Sequence, residues 1–397
     1  MAKKLIFPFT IFLFYLSENV YGRIGLSMPY YNYLIVLFFF GMILFLSIKK
    51  VCHKQFIYYV IFALIYVTLR TLLMGTEGLY WLNLLLFGAP ILGYFFYTIY
   101  SVTEYVDLRK RISRSIFILY IIECVIAIFE RIIGSYVFGW VTKDDGIIMS
   151  LGDANEFRST AMFGHPLQNA LVVSTLMAFI LFSEIKTKTK LWLWFLGYIS
   201  IMCFNTRSSM VGDAMMLGLF LFSKVLSSKG KGKIKYFMLL LLISATLLYL
   251  LFRTSLGGRL VEMGLVDDTS AQVRINTWSI FDYFSLSNFL WGHSTKEAAD
   301  FSYSAGLIAT ENFWIDWMFL YGLVTILIYV VLMFHLLKSL YVDYKRIAIL
   351  GTCCNFWLLA STNNSLSTSF IPLLVFILCI IIFSPKNEKY LYQSVVK

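Results

Sequence analysis

The sequence from residue 253 to residue 316 reads RTSLGGRLVEMGLVDDTSAQVRINTWSIFDYFSLSNFLWGHSTKEAADFSYSAGLIATENFWID. It is the longest polar interruption in a chain that is otherwise strongly apolar. It contains Arg259 and Arg274, and it ends where a new apolar run starts. We therefore predict a long loop over residues 253–311 that connects two hydrophobic helices.

The composition indicates whether this protein is surrounded by water or by lipid. The 397 residues are 59% hydrophobic and 14% charged, with a mean hydropathy of +0.77, whereas a typical soluble domain carries about 25% charged residues. One globule could not hide this much apolar surface. We therefore predict an all-α integral membrane protein that forms one polytopic domain over residues 1–397.

Apolar runs long enough to cross about 30 Å of hydrocarbon occur twelve times. They cover residues 4–18, 30–48, 56–74, 79–100, 115–138, 161–183, 191–206, 208–226, 236–252, 312–337, 347–361 and 369–384. If the connecting segments alternate from the inside, one side holds 23 of the 33 basic residues, as the positive-inside bias requires. We predict about twelve transmembrane helices, cytoplasmic termini and an outward loop between helices nine and ten. The net charge of +11 then reflects orientation and not nucleic-acid binding.

Charged side chains within predicted spans are costly in lipid and should face the bundle interior. Glu123 and Glu130 are seven residues apart and share one helix face. Either an ion pair with Arg131 or a contact with substrate would explain them. Arg70 has either a structural role, in which it extends to the membrane interface or has a partner inside the bundle, or a role in binding ligand. Asp213 is either a partner inside the bundle or a functional residue.

The outward loop is too aromatic to be a solvated linker. Residues 271–286 have helical spacing, with Val273, Ile280 and Phe284 on one face. This spacing predicts a short amphipathic helix over the mouth of the bundle. Gly322, in the next span, is a predicted close-packing position.

A second polar region reads RSTAMFGHPLQN from residue 158 to residue 169. Proline suits the first turn of a helix, so a helix should start near His165 with its amide-rich end outward, where anions bind. His165 fits either a capping or a catalytic role. Arg207 lies in the tight turn between the seventh and eighth spans, among small hydroxylic residues.

Several arginines would thus gather at the outer surface, near the acidic Glu311 and Asp316. They are Arg158, Arg207, Arg253, Arg259 and Arg274. A guanidinium fork matches phosphate oxygens, so the pattern indicates a lipid-borne diphosphate, and aromatic loop residues such as Trp278 suit sugar faces. The sequence has no metal-ligand spacing, Walker loop or GxGxxG motif, so we expect no metal and no cofactor.

Four short segments resemble the bacterial O-antigen ligase and O-antigen polymerase superfamily. They are residues 158–169, the turn Thr206-Arg207-Ser208, the stretch from Arg274 to Trp278 with Trp291-Gly292, and Glu311-Asn312 running into Tyr321-Gly322-Leu323. The resemblance spans residues 110–340, and its specificity comes from the order and spacing of the segments.

The resemblance implies metal-independent transfer of a glycan from undecaprenyl diphosphate to an acceptor sugar, at the extracytoplasmic face of the bacterial cytoplasmic membrane. It also implies that Arg207 and Arg274 bind the diphosphate. A histidine often precedes the asparagine at the start of the tenth helix in this superfamily, but this chain has Glu311. The base is therefore Glu311, His165 or Asp316. The departure favours a polymerase, whose sequences vary more, over a ligase.

We accordingly predict an O-antigen or capsular polysaccharide polymerase, with a ligase and a flippase for lipid-linked oligosaccharide as alternatives. The predicted catalytic residues are Glu311, Arg274 and Arg207. The predicted substrate-binding residues are Arg158, His165, Asn312, Asp316, Trp278 and Arg259. Expected partners are the undecaprenyl-diphosphate-linked oligosaccharide, the lipid bilayer, and flippase and chain-length regulator proteins.

Overall fold

The structure is a computed structural model. It describes residues 54–74, 106–138, 157–182, 185–254, 256–262, 277–294, 312–343 and 346–383, and isolated positions within 15–20, 86–94 and 296–300. Within these residues every regular element is a helix, so the predicted all-α class is confirmed. Two predicted catalytic residues, Arg274 and Glu311, lie outside the described residues.

Thirteen helices make up the described part of the chain. The first six are α1 (Lys54–Met74), α2 (Val106–Ile133), α3 (Pro166–Phe182), α4 (Thr187–Phe204), α5 (Arg207–Ser227) and α6 (Lys231–Arg253). Three short elements follow, α7 (Gly258–Glu262), a 3-10 helix (Thr277–Tyr283) and α8 (Leu286–Trp291). The last four are α9 (Phe313–Asp343), α10 (Arg346–Ala360), α11 (Ser365–Thr368) and α12 (Ile371–Phe383).

Three of the described helices are long and apolar enough to cross a membrane. They are Arg207–Ser227, Lys231–Arg253 and Phe313–Lys338. Large apolar side chains are exposed along α1, α5, α6 and α9, and Leu72 of α1 is 77% exposed. Such a surface suits lipid and not water. The predicted span 30–48, and most of 4–18 and of 79–100, lie outside the described residues.

Helix α3 lies at the centre of the bundle. Nearly all its side chains are buried, and it packs against α2, α4, α5, α10, α11 and α12. A helix that is apolar on every face is expected to be enclosed in this way. The helix begins at Pro166, which confirms the start near His165 that was predicted from the preference of proline for the first turn of a helix. The apolar run, which began at residue 161, extends five residues further toward the N-terminus than the helix does.

Helix α9 is broken at Gly322, where the sequence predicted one continuous span. Gly322 has φ 76° and ψ 165°, which no helix contains. The rings of Trp317 and Tyr329 lie 5.3 Å apart, although a straight helix would separate these residues by about 18 Å along its axis. The chain therefore bends sharply at Gly322.

The bend leaves backbone carbonyls without helical partners, and a side chain and a backbone N–H from elsewhere in the chain bind two of them. Arg70 of α1 donates from Nη2 to the Leu320 carbonyl at 2.6 Å. His293, which follows α8, donates its backbone N–H to the Phe319 carbonyl at 3.0 Å. Arg70 thus has a partner inside the bundle, which fits its predicted structural role.

The described residues 277–294 of the long loop pack onto the same region. A Cβ added to Gly322 would lie 2.4 Å from Gly292 N, so the two glycines permit a close crossing of the chains, as predicted for Gly322. Residues 271–276 of the predicted helix over 271–286 lie outside the described residues, and the rest is a 3-10 helix up to Tyr283 followed by α8. Ser285 caps α8, because its side chain accepts the N–H of Asn288. Ile280 is buried against Ile315 and Phe319 of α9.

Candidate functional site

Several helix ends meet at one end of the bundle, which we call the site end. It comprises the C-terminal ends of α2, α4 and α10 and the N-terminal ends of α3 and α5. Asp213, six residues into α5, bonds to Ser174 of α3 at 2.5 Å and to Asn355 of α10 at 3.3 Å. Because Asn355 lies near the end of α10, these contacts place the start of α5 beside the end of α10.

The segment 157–165 runs through the site end without forming a helix. Residues Ser159 to Gly164 are buried. Ser159 donates its N–H to the Cys203 carbonyl at 3.0 Å and its hydroxyl to the Ala127 carbonyl at 2.7 Å. The segment is therefore tied to the ends of both α2 and α4. Non-helical backbone inside a membrane bundle must be satisfied in this way, and it commonly lines functional sites.

Two buried carboxylates accept three consecutive backbone N–H groups of this segment. Glu130 Oε2 accepts N–H bonds from Thr160 at 2.8 Å and Ala161 at 3.0 Å, and Glu123 Oε2 accepts from Met162 at 3.2 Å. The shared helix face of the two glutamates, predicted from their spacing, therefore faces the segment. Their bonds to backbone N–H groups were not predicted, and an ion pair with Arg131 stays a prediction.

Ala161 marks a point of backbone strain in the segment. It has φ 35°, a left-handed conformation that residues with a Cβ rarely adopt. Strained backbone persists only where its surroundings fix it, and it is concentrated at functional sites. Here Glu130 is the group that fixes it.

His165 caps α3. Its Nδ1 accepts the N–H of Leu167 at 3.2 Å, and Gln168 Oε1 accepts the N–H of His165 at 3.4 Å, a reciprocal arrangement like a capping box. Asn169 adds a bond from its Oδ1 to Phe163 N at 2.8 Å. These contacts explain the run from residue 163 to residue 169 as a helix start.

The cap also decides the chemistry open to His165. Since Nδ1 accepts a hydrogen bond, the proton of the neutral ring is on Nε2, and the ring has no lone pair left to act as a base. Burial, followed by the charge of Arg158, lowers the pKa of His165 to about 3. His165 is therefore a neutral donor, which weakens its assignment as the catalytic base.

Arg158 and Arg207 flank the turn between α4 and α5, and both are half-buried. Arg158 donates from Nε to the Phe204 carbonyl, the last residue of α4, at 3.2 Å. Arg207 is the first residue of α5. Asn205 takes the left-handed conformation between them, with φ 52°. The two predicted arginines thus lie at the two sides of one tight turn.

The helix α7 covers this turn. A Cβ on Gly258 would lie 2.9 Å from the side-chain carboxamide of Asn205, so only glycine permits the approach. Arg259 follows in the same short helix, which brings its backbone to the site end. The side chain of Arg259 lies outside the described residues.

The start of α9 reaches the site end through the turn after α10. Phe313 donates its N–H to the Asn363 carbonyl at 3.2 Å, and Trp314 Nε1 donates to Ser361 Oγ at 3.0 Å. Asn312 caps the helix, because its Oδ1 accepts the N–H of Trp314 at 3.0 Å. Asp316 is half-buried in the first turn. Glu311 immediately precedes this cap in sequence.

Trp278 lies apart from these residues within the described part of the chain. It is 61% exposed on the 3-10 helix, and its ring lies 5.8 Å from that of Phe281. The structure therefore brings Arg158, His165 and Arg207 to one end of the bundle and ties the helix of Asn312 and Asp316 to the same end. Nothing joins Trp278 directly to them.

Sequence reasoning missed the roles of Glu123, Glu130, Arg70 and His293 as ligands of backbone groups. Only the cap of α3 had a local signal, since a proline followed two residues later by glutamine is typical of a helix start. Among the described residues no three His, Cys, Asp or Glu side chains could hold a metal ion together. No family model, curated protein or solved structure matches this chain.

Proposed function

We propose that this chain is a membrane-embedded glycosyltransferase that polymerises undecaprenyl-diphosphate-linked oligosaccharide units into O-antigen or capsular polysaccharide. In this proposal about twelve helices span the bacterial cytoplasmic membrane, both termini are cytoplasmic, and the site end faces outward. The loop 253–311 closes over the site end, and no metal takes part.

The observation that carries the proposal is the pair Arg158 and Arg207 at the α4–α5 turn. Both lie beside helix N-termini, which carry partial positive charge: Arg207 at the start of α5, and Arg158 near the start of α3. Two guanidinium groups and two helix ends make this end of the bundle strongly attractive to an anion. A diphosphate held by a lipid at the membrane surface is an anion of suitable charge and position.

The proposed reaction is one displacement at the anomeric carbon of the donor sugar. The acceptor hydroxyl forms the new C–O bond, the bond to the diphosphate breaks, and the configuration inverts. Arg207 and Arg274 stabilise the charge that develops on the leaving undecaprenyl diphosphate, with Arg158 assisting. Glu311 is the first candidate to accept the hydroxyl proton, and Asp316 is the second.

A cell-based assay tests the role of Arg207. The chromosomal copy is deleted, variants are supplied on a plasmid, and the lengths of the polysaccharide are read from a gel. Charge-assisted bonds contribute about 1.5–3 kcal/mol each, so Arg207→Ala should reduce polymerisation by about tenfold to 150-fold. Arg207→Lys keeps the charge but loses the planar fork, so it should restore only part of the activity.

The matched control is Arg111→Ala, an exposed arginine near the start of α2, at the opposite end of that helix from the site end. It should leave the ladder unchanged. A full-length ladder from Arg207→Ala, at equal protein levels, would contradict the proposal. The deletion strain also separates the alternatives: single repeat units indicate a polymerase, free unattached polymer a ligase, and repeats retained on the inner leaflet a flippase.

A flippase is the second candidate function, and Asp213 is the observation that favours it. Its carboxyl is buried among α3, α5 and α10, and its two hydrogen-bond partners in the described part of the chain, Ser174 and Asn355, are neutral. Ionisable residues inside a membrane bundle often mark transport pathways. Asp213→Asn keeps the shape of this group, so loss of outward repeat units in this variant, with normal folding, would support transport.

A further inference from the structure

The exposed apolar side chains of the outward loop need a partner, and their position in the fold identifies one. The break in α9 gives the position of the membrane surface. The apolar part of α9 ends at Lys338, so residues 323–338 supply 16 residues, or about 24 Å of helix, which is most of the hydrocarbon thickness. The break at Gly322 therefore lies within about 6 Å of the membrane surface.

The end of helix α1 independently indicates the same position for the membrane surface. It also has 21 residues, and Arg70, which binds the Leu320 carbonyl beside the break, is four residues from its end. Four residues correspond to about 6 Å of helix. Two spanning helices thus end near the height of Gly322.

The loop docks onto the bundle at this height. Gly292 crosses Gly322 so closely that neither position has room for a Cβ, and His293 binds the Phe319 carbonyl. The 3-10 helix and α8 precede this contact directly and pack along the first part of α9. Residues 277–291 therefore lie at the membrane surface and not far above it.

The segment 277–291 is amphipathic at this position. Its inward side chains, such as Ile280, pack on α9. Its outward side chains include Trp278, Leu286, which is 78% exposed, and Trp291, which is 36% exposed. Exposed serines lie between them in sequence. Tryptophan is enriched at membrane–water interfaces, where its ring meets both lipid and water.

A second apolar surface that suits lipid lies near the break in α9. Leu69, Leu72 and Leu73 are exposed at the same end of α1, next to the residues that hold the break. We propose that residues 277–291 form an interfacial anchor whose Trp278, Leu286 and Trp291 side chains insert into the bilayer surface. This inference rests on the membrane location in the proposed function but not on transferase chemistry.

Fluorine NMR tests the anchor in the full chain. The protein is labelled with 5-fluorotryptophan and placed in nanodiscs of phosphatidylethanolamine and phosphatidylglycerol. Single variants, Trp278→Phe and Trp291→Phe, assign the two resonances. Each sample then receives either a lipid with a nitroxide near its headgroup or a soluble gadolinium chelate, and line broadening is compared.

The expected result is that the lipid nitroxide broadens the Trp278 and Trp291 resonances several-fold more than the chelate does. Two native residues serve as controls. Trp192 is exposed on α4 and should respond to a lipid reagent, whereas Trp194 is buried and should respond to neither. If a phenylalanine variant does not fold, Leu286→Trp adds a tenth resonance at the same surface and keeps the native tryptophans.

Three outcomes would overturn the anchor. Stronger broadening by the gadolinium chelate would show that the segment faces water. Protection from both reagents would show that a second copy or another protein covers it. Protection that appears only when the bacterium's own polysaccharide is added would make the segment a glycan platform. None of these readouts depends on catalysis, so failure of the anchor and failure of the transferase proposal are distinguishable.

Discussion

Replacement of Gly322 by alanine should destabilise this protein more than any ordinary glycine substitution in a helix. A Cβ there would lie 2.4 Å from both Gly292 N and the Leu290 carbonyl oxygen. Both atoms belong to backbone, which cannot turn aside as a flexible side chain can. The alanine would also have to adopt φ 76°. The Gly322→Ala variant therefore combines two separate penalties.

The size of the effect follows from these two penalties. A left-handed conformation costs a residue with a Cβ about 1–2 kcal/mol, and overpacking costs about 1–3 kcal/mol. We expect a loss of about 2–5 kcal/mol in the free energy of unfolding. Detachment of the loop from α9 would avoid part of this loss, so local opening must be measured together with global unfolding.

Two other glycines are matched controls. Gly134 has φ 64° but no atom near its Cβ position, so Gly134→Ala isolates the conformational penalty. Gly218 is helical with open space around it, and Gly218→Ala should be neutral or stabilising by up to about 1 kcal/mol. Denaturant unfolding in detergent micelles, followed by circular dichroism, gives the global values. Limited proteolysis of residues 277–291 gives the local opening.

The reasoning about the break in α9 fails if Gly322→Ala equals Gly218→Ala in both measurements. If Gly322→Ala and Gly134→Ala lower the free energy of unfolding equally, the close crossing with Gly292 is refuted. The bend at Gly322 is not refuted by that result. Detachment of the loop at unchanged global stability would instead support the crossing. The three substitutions together therefore separate the bend from the crossing.

Three further predictions concern the site end. The pKa of His165 is lowered in the folded protein to about 3 from an ordinary value of about 6.5, so the unfolded state binds more protons between these two pH values. The free energy of unfolding should therefore fall as the pH drops below about 6.5, and thermal melts of His165→Asn should show a flatter pH dependence. Ala161→Gly should raise the free energy of unfolding by about 1 kcal/mol by relieving the strain at φ 35°, whereas Ala161→Val should lower it in the same denaturant titration. Asn312→Ala should cost about 1 kcal/mol through loss of the helix cap, and Asn312→Asp should restore it; equal stability of the two variants would contradict the capping role.

The helices of the bundle were predictable because lipid imposes one dominant requirement. A run of apolar residues long enough to cross hydrocarbon must be helical. Hydropathy alone therefore predicted the ends of α5 and α6 to within a few residues. The break in α9 was not predictable in this way. Hydropathy averages over a window, whereas the bend depends on one backbone conformation at Gly322.

The site end was predictable in part, for a related reason. The positions of Arg158 and Arg207 follow from helix boundaries, which the sequence encodes locally through a proline and a tight turn. The use of Glu130 to hold Thr160 and Ala161 depends on a contact between residues thirty positions apart, which no local pattern encodes. Arg70 and Leu320 are separated by 250 positions, and their contact could only be seen in three dimensions.

The structure also changes how loss of activity should be interpreted in this protein. A transferase was predicted partly from the segments that contain His165, Gln168, Asn169 and Asn312, yet these four side chains bind backbone N–H groups at or beside helix starts. Their substitution would reduce activity whether or not they touch substrate. A cap can be restored by another short acceptor such as aspartate or serine, but the planar fork of arginine has no equivalent among the other side chains. A residue that only supports the site should therefore regain activity with a conservative substitution, as we expect at these four positions. A residue that takes part in the chemistry should not regain full activity, as we expect for Arg207.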